Sequence, residues 1–115
     1  MTNNELLKTI YKALDDKKAE NIKIIDISNI SVMTDHFLIT NGANQPQVDA
    51  LVDAAEETLL KAGVKDVKVE GGRNNGWTLI DAGSIIIHIF TRENRDFYDL
   101  ERIWKDGKAV EIESL

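Results

Sequence analysis

The sequence predicts an α/β (α+β) fold: a single domain over residues 1–115, with helices packed on a mixed five-stranded sheet in the order α-β-β-α-β-β-β-α. Three observations predict it. Apolar residues recur at helical spacing over 6–14 and 48–62. Short β-branched or alternating runs fall at 22–28, 37–40, 67–70, 77–81 and 85–90. A helical crossover between the second and third strands implies one parallel pair, while tight turns elsewhere imply antiparallel ones.

Residues 3–19 read as the first helix. Thr2 or Asn3 can cap it, and Leu6, Leu7, Ile10, Ala13 and Leu14 form one apolar stripe. Lys8, Lys12, Lys17 and Lys18 fall on its solvated side. Ile22 to Ser28 is a β-branched strand, and a polar connection from Ser31 to Asp35 leads to a second strand, Phe37 to Thr40, ending at Asn41-Gly42. Asn44 then caps the clearest helix and Pro46 is tolerated in its first turn. Val48, Leu51, Val52, Ala55, Leu59 and Ala62 supply its buried stripe before Gly63 stops it. Its outer face carries Asp49, Asp53, Glu56 and Glu57. That is either a plain solvated face or an acidic patch that steers a basic partner. Val67 to Glu70 is a third strand. The glycine-rich loop 71–76 after it runs into a strand, whereas a phosphate-binding P-loop runs into a helix.

The stretch Gly76 to Trp104 organises the rest. Trp77 to Asp81 alternates as a two-faced strand, Gly83 can take the positive φ of a hairpin turn, and Ile85 to Phe90 returns as its partner. With Ala82-Gly83 as the loop, 81 faces 84, 79 faces 86 and 77 faces 88. Trp77, Leu79, Asp81, Ile86, His88 and Phe90 then share one side. Thr78, Ile80, Ile85, Ile87 and Ile89 share the other, which is apolar and must be buried. His88 reads as a half-buried histidine bonded to a neighbour under Trp77. Trp77 is core if helix covers its whole face, and an exposed interface anchor if helix covers only part. Thr91 can cap a last helix, Arg92 to Trp104, with Phe97, Leu100, Ile103 and Trp104 on its core side. Arg95, Tyr98 and Arg102 lie on another side, with Asp99 one turn beyond Arg95. The tail from Gly107 to Leu115 either adds a short edge strand or frays.

A chain of this length can bury a working core. It has no cysteine, hence no disulfide and no thiolate metal site. Fourteen basic against 20 acidic residues leave a net charge of −6. That opposes nucleic-acid wrapping and favours encounter with a basic partner. The N-terminus lacks a signal-peptide core and no run approaches a membrane span, so a cytoplasmic protein is expected. No residue stands out as a nucleophile. With only His36 and His88 as imidazoles, a metal site would lean on carboxylates, and Asp81 is alone on its strand. A catalytic group, a metal and a cofactor are therefore all expected to be absent.

Glu70-Gly71, then Trp77, Asp81-x-Gly83, His88-x-Phe90, Arg95, Tyr98, Leu100-Glu101 and Trp104 resemble the ribosomal silencing factor (Iojap) family. Thr34-Asp35-x-Phe37-x-Ile39 and Gly42 followed by Gln47-Val48 fit the same pattern, so the resemblance runs over residues 3–110. Two positions depart: Ala82 and Ser84 flank the turn glycine where the family has a large residue and an aspartate, and Asn44 replaces a capping serine. The resemblance implies a nucleotidyltransferase-like topology without an established activity. It also implies binding to the large ribosomal subunit through its ribosomal protein fourteen, which blocks joining of the small subunit. A role in large-subunit maturation and a homodimer off the ribosome are further implications. On this reading Trp77 is the central anchor and Tyr98 a second aromatic contact. Glu70, Asp81, Asp99 and Glu101 meet basic groups, with His88 and Arg95 orienting them. The alternative is a nucleotidyltransferase-like enzyme or nucleotide-binding protein.

Overall fold

Helices form where the apolar stripes meet their caps. The computed structural model describes residues 2–71, 76–98 and 107–115, with the backbone alone at 96–98. Its α-helices are α1 (Asn3–Asp16), α2 (Gln45–Lys61) and α3 (Arg92–Tyr98). Its strands are β1 (Glu20–Asp26), β2 (His36–Gly42), β3 (Lys68–Glu70), β4 (Trp77–Asp81), β5 (Ile85–Thr91) and β6 (Lys108–Val110). The Thr2 hydroxyl accepts the Glu5 N–H at 3.1 Å to start α1, and Asn44 Oδ1 accepts the Gln47 N–H at 3.0 Å to start α2. α1 ends three residues before the expected 19, and Lys18 beyond it takes a positive φ of 64°.

The strands line up as one six-stranded sheet in the order β3-β4-β5-β2-β1-β6. Two expectations change here. The tail supplies a sixth strand, antiparallel to β1 with Ile24 opposite Val110, so five was an undercount. The parallel partner of β2 is β5 rather than β3, with Leu38 opposite Ile87. Burial decides this. The apolar run 85–90 is suited to a central strand covered on both faces, whereas Lys68-Val69-Glu70 is short, charged and exposed, as suits an edge.

The β4–β5 loop is Gly83-Ser84, one residue later than expected. Ala82 N–H donates to Ile85 O at 2.9 Å and Gly83, first in the loop, has φ +85°. Asp81 Oδ1 accepts the Gly83 N–H at 2.8 Å and sets that geometry. Trp77 therefore faces Phe90, Leu79 faces His88 and Asp81 faces Ile86. The slip is two residues, an even number, so both predicted faces survive.

The face bearing Ile80, Ile85, Ile87 and Ile89 is fully buried under Leu7, Ile10 and Leu14 of α1 and Leu51, Ala55 and Leu59 of α2. On the opposite face Ile25, Ile27, Phe37, Ile39 and Phe90 form a smaller cluster, with α3 packed beside it. Gly71 links β3 to this arrangement at φ +99°, and a Cβ there would collide with the Trp77 carbonyl oxygen. Gly71→Ala is expected to cost about 2 kcal/mol or more, read as a lower urea midpoint with the slope unchanged.

Candidate functional site

The second sheet face is built in three cross-strand rows. Phe37, Ile86, Asp81 and Lys68 form one, and Ile39, His88, Leu79 and Glu70 the next. Asn41, Phe90 and Trp77 form the third. Residues opposite one another share a face, so the pleat gathers four rings here. Trp77 stacks on Phe90 with centroids 5.3 Å apart and planes at 21°. The Phe37 ring meets His88 edge to face at 4.8 Å. Phe37, His88 and Phe90 are buried, and Trp77 is half-buried at the border of the patch.

His88 is more enclosed than a half-buried reading allows, at 4% exposure. Its Nδ1 accepts the Trp77 indole N–H at 3.3 Å, and its Nε2 is buried with no hydrogen bond among the described residues. Burial drives its pKa down from 6.5 to about 4, so the ring is neutral at pH 7. The unfolded chain takes up this proton near pH 6.5 and the folded chain only near pH 4. Between those values the unfolded state holds more protons, and stability falls as pH falls. The expected slope is about 1.4 kcal/mol per pH unit at most. It should be seen in urea titrations from pH 7 to 4.5 and be largely absent from His88→Leu. The carboxylates Glu20, paired with Arg92, and Asp26, hydrogen-bonded by Ser28, have lowered pKa values and lose their contributions only at more acidic pH.

A polar cluster borders the rings where α3 meets the sheet. Arg95 is buried, and its Nη1 donates to Asn41 Oδ1 at 3.0 Å and to the backbone carbonyls of Asn21 and Glu20. Arg92 grips the Glu20 carboxylate with Nε and Nη2, and Asn41 Nδ2 donates to the same carboxylate at 2.7 Å. The Arg92 hydrogen bonds hold the Glu20 carboxyl below its ordinary range against a smaller opposing effect of desolvation. The cluster ties β1, β2 and α3 together.

The sequence-predicted residues divide accordingly. Trp77, His88 and Arg95 come together around Phe90 and Asn41: His88 bonds the Trp77 indole and Arg95 bonds Asn41. Glu70 shares the face but sits exposed on the edge strand. Asp81 lies opposite Lys68 in the strand register, and its Oδ1 accepts the Gly83 N–H of the turn. Tyr98 is the last backbone position of α3, while Asp99 and Glu101 lie outside the described residues, as do Leu100, Arg102, Ile103 and Trp104. Glu20, Asn41 and Arg92 were not picked out by sequence reading. A signal was there for Arg92: a cation in the first turn of a helix is unfavourable against the dipole unless a carboxylate answers it. Among the described residues no three His, Cys, Asp or Glu side chains are grouped to hold a metal ion.

Of the motif residues, Glu70, Trp77, Asp81, His88 and Phe90 thus share one sheet face, with Arg95 of α3 at its border. A family profile described as "Ribosomal silencing factor during starvation" matches residues 1–115. The chain belongs to the ribosomal silencing factor family. It is 36% identical over 115 residues to the ribosomal silencing factor RsfS of Halalkalibacterium halodurans, covering 100% of this chain and 98% of that one. The Bacillus subtilis RsfS is 33% identical over 113 residues, covering 98% and 96%. A crystal structure of a Chromobacterium violaceum protein superposes with a TM-score of 0.86 at 32% identity, covering 91% of this chain and 88% of that one. For a silencing-factor chain, then, the mixed sheet and its three helices are the expected scaffold.

Proposed function

We propose that this protein binds the large ribosomal subunit through its ribosomal protein fourteen and, seated there, blocks joining of the small subunit. It would act in the cytoplasm, and a contribution to large-subunit maturation fits the same contact. The observation that carries the reading is Trp77: half-buried, stacked on Phe90 and tethered to His88 at the border of the sheet face away from α1 and α2. An aromatic side chain held this way is the kind of anchor that dominates interfaces. Glu70 on the same face and the net charge of −6 favour a basic ribosomal protein over nucleic acid or a membrane surface. An interface of ordinary size needs ~800 Å² per partner, which one sheet face and a helix edge can supply. Steric exclusion requires no reacting group, so the protein would work without turnover, metal or cofactor.

Light scattering of subunit joining tests this. Joining should be inhibited in proportion to protein added, reaching completion near one protein per large subunit. Joining at an undiminished rate with a several-fold excess of protein would contradict the proposal. A homodimer off the ribosome is part of the same reading, and sedimentation equilibrium of the free protein checks it.

A further inference from the structure

We infer that His88 is the positioning residue of the Trp77 contact: its Nδ1 tethers the indole N–H and so fixes the plane and direction in which Trp77 meets its partner. This rests on the proposed ribosome-binding role of Trp77 and adds how that residue is held.

Three observations carry it. The indole can only donate, so at 3.3 Å the Nδ1 of His88 must be the acceptor and its proton must reside on Nε2. That Nε2 is buried and makes no hydrogen bond among the described residues. Leaving a buried donor unpaired opposes folding, and an apolar residue between Leu79 and Ile39 would avoid the penalty. A histidine at this site therefore costs the fold something, and among the described residues the bond its ring makes is the tether to Trp77. The indole is also braced from below by Phe90 and from the side by the His88 ring, whose centroid is 6.0 Å away at 29°. A bulky half-buried side chain clamped in this way is ordered before the partner arrives, so less freedom is lost on binding.

Two variants separate a tether from simple packing. His88→Leu removes the acceptor and fills the site with apolar volume. His88→Asn places Oδ1 as many bonds from the backbone as Nδ1 of the histidine, restoring the acceptor while leaving the site underfilled. The probe is the purified large ribosomal subunit. The spectroscopic readout is the Trp77 indole N–H resonance in ¹⁵N-labelled protein, assigned by its loss in Trp77→Phe, together with the ¹⁵N shifts of His88.

The expected result is that His88→Leu keeps or raises the thermal midpoint at pH 7, shifts the indole resonance and binds the subunit at least tenfold more weakly. His88→Asn should melt lower yet bind within about threefold of wild type. Undiminished binding by His88→Leu would overturn the inference. So would His88→Asn binding as weakly as His88→Leu, or a wild-type His88 found protonated on Nδ1. Wild type that fails to bind the subunit would instead defeat the functional proposal, and the inference with it. The resonance data would then still report whether the tether exists.

Discussion

Trp77→Ala is expected to bind the large ribosomal subunit about 30-fold more weakly or worse while remaining folded. Truncating a central aromatic anchor typically costs an interface 2 kcal/mol or more, and this is the side chain that combines stacking, a tether and access. The fold tolerates the loss better than the interface does. Trp77 begins its strand and is half-buried, so its removal opens the rim of the patch rather than a closed cavity. A stability cost of about 1–2 kcal/mol follows, well below that of truncating a closed core. Equilibrium titration against labelled large subunits, beside far-ultraviolet circular dichroism, measures both. Leu60→Ser, on the exposed side of α2, is the control and should change neither.

Arg95→Met is expected to produce the largest loss of stability, about 3 kcal/mol or more. Methionine preserves much of the length and apolar bulk but offers no donor. Asn41 Oδ1 and the carbonyls of Asn21 and Glu20 would each lose a charged hydrogen-bond donor where β1, β2 and α3 meet. Arg95→Lys should recover only part, because a single ammonium cannot spread its donors as the guanidinium fork does. Urea unfolding of the three proteins gives the ranking. Because α3 follows directly from the strand carrying His88 and Phe90, Arg95→Met is also expected to weaken subunit binding.

Much of this was legible in the chain because burial leaves a simple pattern. The stripes of α1 and α2, the caps Thr2 and Asn44 and the two faces of the β4–β5 hairpin all follow from periodicity and local hydrogen bonding. The hairpin register was not, because a two-residue loop can begin at Ala82 or Gly83, and the decision falls to the Asp81 carboxylate bonding the Gly83 N–H. Strand order was hidden for a different reason. A crossover helix implies a parallel pair without saying which strand receives it, and the receiving strand is set by the need to cover Ile85–Phe90 on both faces. Trp77, His88 and Arg95 were readable as candidates. The depth of His88 was not, since enclosure at 4% exposure depends on Phe37, which lies 51 positions earlier in the chain. The Glu20–Arg92 pairing, which spans 72 positions, was equally out of reach.

The most direct test is sucrose-gradient sedimentation of the purified wild-type protein with separated ribosomal subunits. Co-migration with the large subunit, and none with the small subunit, is the result this account predicts. Protein that stays at the top of both gradients, or that travels with the small subunit, would contradict it.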